Sequence, residues 1–200
     1  YRMLRNPKVT LVDEHVAMVD SGRLYADDGT EYEADVLVIA TGFDVLNFIT
    51  TYEAKGRSGA SLTSQWESDN AKAYLGTAVP NFPNFFTLYG PNLQPGHGGS
   101  LIFVVEMQVR YIMDVIQKML GQNIGAVEIR QDIHDSYNAD VDEAHTQMVW
   151  THPGMESYYR NERGRIVVNS PWRNVDFYSM TKEADLNEYL TEPIPELVAD

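Results

Sequence analysis

Five apolar residues in unbroken succession, Val36-Leu37-Val38-Ile39-Ala40, stand apart from a chain whose other β-like stretches alternate. A run without alternation predicts a strand covered on both faces, as in the parallel sheet of an α/β domain. Thr41-Gly42 ends it, and glycine there lets a ligand or another segment come close to the backbone. Upstream, residues 9–12, 16–19, 23–25 and 31–34 predict short strands. Asp20-Ser21-Gly22 and Asp28-Gly29, lying between them, carry the residues that tight hairpin turns need.

Downstream, residues 44–80 are polar and aperiodic, with Gly56, Gly59 and Gly76, a stretch expected to be functional or to cover something. Residues 85–89 predict a second strand, ending at Gly90-Pro91-Asn92. After the loop Leu93-Gln94-Pro95-Gly96-His97-Gly98-Gly99, Ser100 is the expected N-cap of a helix over residues 101–120, whose apolar positions recur at three and four and which Gly121 closes. A strand at 126–130 and a helix at 136–150 follow, the latter with Val141, Ala144, Met148 and Val149 inward. A strand at 165–169, a polar helix at 181–190 and a loose Pro193-Ile194-Pro195 tail complete the expectation.

Composition narrows the class. The chain has 200 residues, 44% hydrophobic and 22% charged, which suits one good core or two small ones. A formal net charge of -14 argues against a broad surface for nucleic acid or anionic membrane. Without cysteine, disulfides and thiolate metal sites are excluded, which fits a reducing, cytoplasmic setting. No signal-peptide core or membrane-length apolar run is present. The first residue is Tyr, and the sequence reads as a piece of a longer protein.

The second strand–loop–helix gathers free backbone N–H groups at the positive end of a long helix dipole, a place that favours negative charge. A phosphate is one candidate and the electron-rich edge of a reduced flavin another; a ligand-free glycine connection is the plain alternative. The loop has no Lys and matches neither Gly-x-x-x-x-Gly-Lys-Ser/Thr nor Gly-x-Gly-x-x-Gly.

Three motifs carry a family resemblance. Asp35-Val36-Leu37-Val38-Ile39-Ala40-Thr41-Gly42-Phe43 resembles the second-half Ala-Thr-Gly motif of flavin-containing and Baeyer–Villiger monooxygenases. Phe82-Pro83-Asn84-Phe85-Phe86-Thr87-Leu88-Tyr89-Gly90-Pro91-Asn92 is similar to their late flavin-domain strand and loop. His152-Pro153-Gly154-Met155-Glu156-Ser157-Tyr158-Tyr159-Arg160-Asn161, with Asn169-Ser170-Pro171-Trp172-Arg173, resembles the C-terminal segment of the 4-hydroxyacetophenone monooxygenase branch.

The resemblance implies an α/β fold, the C-terminal part of a flavoprotein with two dinucleotide-binding domains. Residues 1–43 would end the NADP-binding domain and carry a small antiparallel β unit, 44–80 would cross over, and 81–200 would belong to the FAD-binding domain. It implies an enzyme using FAD, NADPH and O2 to insert oxygen beside a ketone carbonyl through a peroxyflavin, the missing N-terminal half of the same enzyme completing each cofactor site. Thr41 and Gly42 would lie beside FAD in the interdomain link. Asn92, His97, Gly98, Gly99, Ser100 and Leu101 would line the isoalloxazine, and Leu101 and Phe103 could face substrate. Tyr158 stands where many relatives have Trp near the nicotinamide nucleotide, and Arg160 is the expected phosphate or ribose partner. Neither dinucleotide fingerprint occurs here, so the chain alone is expected to be inactive. The rival readings are an N- or S-hydroxylating flavin monooxygenase and a non-catalytic binding module.

Other constellations are weaker. His134 and His145 are expected as solvated residues on an acidic helix rather than as metal ligands. Asp135, Asp140, Asp142 and Glu143 are expected to form its solvated face. His152 beside Pro153 would order a turn. Trp66, Trp150 and Trp172 are expected as core or interface anchors.

Overall fold

A computed structural model describes residues 2–49, 51–96, 98–155 and 157–195. The chain divides into two compact units, residues 1–43 and 44–200.

The first unit is a three-stranded antiparallel meander: β1 (Val16–Asp20), β2 (Arg23–Ala26) and β3 (Glu31–Glu33), in that order. Asp20 pairs with Arg23, and Ser21 (φ 49°) with Gly22 (φ 82°) makes the two left-handed steps of a type I′ hairpin turn. At the second turn, Asp28 accepts from the Thr30 amide at 2.8 Å and from its hydroxyl at 2.9 Å, which holds its carboxyl below the usual range.

Two strands expected in this unit do not form. Residues 9–12 and 35–39 have no ladder partner among the described residues. Val36, Val38 and Ile39 are 78%, 79% and 78% exposed. A run built to be covered on both faces cannot be held as a strand where nothing covers or pairs with it.

The second unit is organised around α2 (Leu101–Gly121), the longest helix. Val104, Met107, Tyr111 and Val115 descend its inner face and pack on β4 (Ile124–Ile129), through Val127 and Ile129, and on α3 (Gln131–His145), through Tyr137 and Val141. A second core gathers Leu62 of the short α1 (Leu62–Gln65), Trp66, Val79, Phe82 and Val167. Residues 44–80 are thus largely a wall for this core, and Trp66 is one of its anchors, its indole N–H bonded to the Lys72 carbonyl at 2.8 Å.

Several expected elements are corrected. Phe86 touches Ala78 through a lone bridge, and residues 85–89 form no strand, because Asn84 (φ 56°) and Tyr89 (φ 54°) turn left-handed at either end. Gly121 is the last helical residue of α2; the left-handed exit is Asn123 (φ 57°). α3 begins and ends five residues early, leaving Val149 exposed. Residues 165–169 carry only isolated bridges. The polar helix at 181–190 is absent. Instead α4 (Asn174–Met180) stops where the Thr181 hydroxyl donates to the Phe177 carbonyl at 2.8 Å, and β5 (Tyr189–Pro193) pairs antiparallel with β4. Residues 181–190 lack the apolar stripe that would bind a helix to the core, whereas β4 offers an apolar strand to pair with. The tail is therefore anchored, with the Ile194 amide bonded to the Asn123 carbonyl at 3.2 Å.

Among the described residues no helix is long and apolar enough to cross a membrane.

Candidate functional site

The loop before α2 is stitched to residues 166–170 of the same unit. The amides of Asn92 and Gln94 donate to the carbonyls of Val167 and Val168 at 2.8 and 3.0 Å, and the Ser170 amide returns a bond to the Gln94 carbonyl at 2.8 Å. This lacing brings the glycine-rich loop against the Ser170-Pro171-Trp172-Arg173 segment. Between them lies a cavity of about 330 Å³, with Gly96, Gly98 and Gly99 on one side and Ser170, Trp172 and Arg173 on the other.

Both glycines nearest the helix need their freedom. Gly98 (φ 72°) faces open space, while Gly99 (φ 105°) is so close to Asn174 that a Cβ would lie 2.6 Å from its amide nitrogen. Ser100 holds the extended N-cap conformation, but its hydroxyl makes no capping bond. The first-turn amides of Leu101, Ile102 and Phe103 therefore have no partner among the described residues, and these three side chains are exposed.

Asn92 is tied into the interior by its side chain. It is buried in a left-handed turn (φ 57°), its amide nitrogen donates to the carbonyls of Ile166 at 2.8 Å and Asn169 at 3.2 Å, and its oxygen accepts from Arg165 at 3.0 Å. Its side chain is spent inside the protein, so it holds the loop. His97 lies outside the described residues. Thr41 and Gly42 (φ 83°) belong to the other unit and are exposed there, with open space where a Gly42 Cβ would point.

Tyr158 and Arg160 do join the loop. The exposed Tyr158 ring rests on Tyr159 with centroids 4.1 Å apart, and Tyr159 meets Trp150 edge-on at 5.6 Å. Trp150 packs against Gly96, its carbonyl accepts from the Arg160 guanidinium, and Gln94 donates to the Tyr159 hydroxyl at 3.4 Å. His152 closes a turn as expected, Nδ1 lying 2.8 Å from the Pro153 carbonyl.

Four polar residues take places that were not expected from sequence: Arg165, Gln108, His134 and His145. Arg165, largely buried, donates to Asp142 at 2.7 Å, to the Ala71 carbonyl at 2.9 Å and to Asn92. Asp142, its side chain still 38% exposed, is thus also a structural partner. Gln108 accepts from the Tyr89 amide at 2.7 Å and donates to the Thr77 hydroxyl at 2.7 Å, fixing the loop that precedes the glycines. His145 and His134 are buried, not solvated. His145 Nε2 is 3.0 Å from the Asn169 carbonyl, and burial pushes its pKa below the ordinary value. Among the described residues no group of His, Asp or Glu could hold a metal. The polar spacing of Gln108 within an apolar helix face was the one available clue to these residues.

The fold is the FAD/NADP-binding fold of Baeyer–Villiger monooxygenases, of which the chain corresponds to a part. One such neighbour, OTEMO in complex with FAD and NADP, aligns with a TM-score of 0.75 at 21% identity, covering 94% of this chain and 36% of that one. In sequence, an uncharacterized monooxygenase, y4iD, of Sinorhizobium fredii is 46% identical over 193 residues, 96% of this chain and 29% of that protein. A Baeyer–Villiger monooxygenase of Streptomyces coelicolor is 32% identical over 198 residues, 98% of this chain and 38% of its own. In sequence and in fold the chain is similar to Baeyer–Villiger and flavin monooxygenases. The chain spans about a third of the length of these curated relatives. No family model matches it.

Proposed function

We propose that the chain is the C-terminal portion of an FAD- and NADPH-dependent monooxygenase of Baeyer–Villiger type, nearest the branch acting on 4-hydroxyacetophenone, and that a missing N-terminal part completes both cofactor sites. The observation that carries this reading is the cavity between the glycine loop and the Ser170–Arg173 segment, beside a helix start whose first amides have no partner among the described residues.

These residues fit a flavin. First-turn amides without a partner among the described residues, at the positive end of a 21-residue helix, suit the electron-rich edge of the ring, and Gly98 with open space beside it admits close approach. Gly98, Gly99, Ser100 and Leu101 would hold that edge by backbone contacts, with His97 beside them and Thr41 and Gly42 at the tether. Tyr158 and Arg160 would meet the nicotinamide nucleotide. The chemistry the bound flavin supplies is activation of O2 with electrons from NADPH. The chain's own contribution is to orient: Asn92 and Gln108 fix the loop from behind, and the exposed Leu101 and Phe103 present an apolar face to a ketone. Without a Gly-x-Gly-x-x-Gly fingerprint to grip a pyrophosphate, the 200 residues alone should bind FAD weakly and not turn over.

The test is product analysis. The polypeptide comprising this chain and its N-terminal part, given NADPH, O2 and 4-hydroxyacetophenone, should yield the acetate ester. Exclusive formation of N- or S-oxides from amine and sulfide substrates, with no ester, rules the reading out.

A further inference from the structure

One aromatic file in the second unit is not used by the proposed activity. Trp172 borders the glycine-loop cavity. Its indole N–H donates to the Tyr137 hydroxyl at 3.2 Å, and the two rings are 6.5 Å apart. Tyr137 in turn meets Tyr74 edge-on at 5.4 Å. The Tyr74 hydroxyl donates to Oε2 of Glu188 at 2.8 Å, across 114 residues of sequence. Tyr137 is buried and Glu188 half-buried, so the file runs from a cavity through the core to a carboxylate near the surface.

We propose that Trp172, Tyr137 and Tyr74 form a relay that carries an oxidising equivalent from the glycine-loop cavity to the Tyr74–Glu188 pair. The oxidant is a radical derived from reduced oxygen arising in the cavity. It takes one electron from Trp172 and is itself reduced by one, leaving an indole radical cation. Tyr137 bridges the two outer rings. One electron from Tyr74 then refills Trp172, while the phenolic proton of Tyr74 crosses to Glu188. A neutral tyrosyl radical and a neutral carboxylic acid remain. A one-electron donor from solution, such as a thiol, and the proton held on Glu188 restore both groups.

The direction follows from charge. A cation left on a half-buried indole has no partner and is costly in a low-dielectric setting. At Tyr74 the lost electron is matched by a proton moved along an existing hydrogen bond, so no unpaired positive charge is created. Burial also raises the pKa of Glu188, making it a stronger base for that proton. The oxidant rests on the proposed flavin chemistry, whereas the path belongs to this chain's own residues and is tested without flavin.

The absence of cysteine gives a direct experiment. An R173C variant of the full 200-residue chain carries one thiol beside Trp172, on an exposed side chain, for a ruthenium tris-bipyridine label. Flash-quench generation of ruthenium(III) should give an indole radical that decays into a tyrosyl signal, followed by transient absorption and electron paramagnetic resonance. Adding Y74F, which keeps the ring and its packing, should abolish that tyrosyl signal and prolong the indole radical. E188Q should have the same effect, and D2O should slow the transfer in the labelled parent. A tyrosyl signal that survives Y74F undiminished, or an indole radical that decays with no tyrosyl signal in the labelled parent, overturns the relay.

Discussion

Gly96 and Trp150 are in such close contact that a Cβ on the glycine would lie 2.7 Å from the indole Cζ2. The glycine loop therefore leans on Trp150, and through it on Tyr159 and Tyr158. This makes the loop's position depend on one ring that is 54 residues away in sequence.

Gly96→Ala must displace that indole. Overpacking of this kind costs about 1–3 kcal/mol. Urea unfolding should show the loss, and tryptophan fluorescence should shift with it. Gly98→Ala is the control: it meets nothing, but forces an L-residue to φ 72°, at a cost of roughly 1–2 kcal/mol without moving Trp150. Unchanged fluorescence in Gly96→Ala would show that the loop does not rest on the ring.

Gln108 is the polar hub behind the loop. Gln108→Leu keeps the helix and its volume but strands the half-buried Tyr89 amide, while the Thr77 hydroxyl keeps its bond to the Leu75 carbonyl at 3.0 Å. An orphaned amide costs about 1–3 kcal/mol, so a fall of that size is expected in chemical denaturation. A loss below about 1 kcal/mol would mean that water reaches that amide.

Elements with local causes were legible in the sequence. Ser21-Gly22 specifies its hairpin through two left-handed steps, and the apolar recurrence from Leu101 onward specifies α2. The glycine loop was legible for the same reason. β5 was not, because its ladder partner lies some sixty residues earlier and residues 181–190 carry no strand alternation. Nor was the Arg165 node, whose partners Asp142, Asn92 and Ala71 lie 23, 73 and 94 residues away. The run at 36–39 was read correctly as apolar and wrongly as a strand, since a ladder needs a neighbour that the run itself cannot specify.

His145 predicts an acid-side loss of stability. Its folded pKa lies below the ordinary 6.5, so the unfolded chain binds the extra proton as pH falls past that value. The stability it contributes is complete above pH 6.5 and is lost as pH falls toward the folded pKa. Asp135 and Asp114, held below 3.8 against opposing burial by hydrogen bonds from His134 and the Ala184 amide respectively, act in a lower window, and lose theirs only as pH falls below 3.8. Glu188, raised above 4.5 by burial, works in the opposite sense and loses its contribution as pH rises through its folded pKa. Thermal unfolding from pH 7.5 down to 5.5 should show a decline that His145→Gln flattens. An identical slope in both proteins would assign the decline elsewhere.

The exposed run at Val36–Ile39 predicts how the isolated chain behaves in solution. Val36, Val38, Ile39 and Phe43, the last 87% exposed, place large apolar side chains in water along one short segment. Such segments bind apolar dyes and drive association. The isolated chain should therefore enhance the fluorescence of an anilinonaphthalene dye and elute earlier in size exclusion as its concentration rises. Replacing Val36 and Val38 by Ser removes apolar area at two exposed positions without touching either core, so both effects should fall while the thermal transition of the second unit stays in place. Dye binding that persists in the double variant would locate the sticky surface elsewhere, with the exposed Leu101, Ile102 and Phe103 at the start of α2 the next place to substitute.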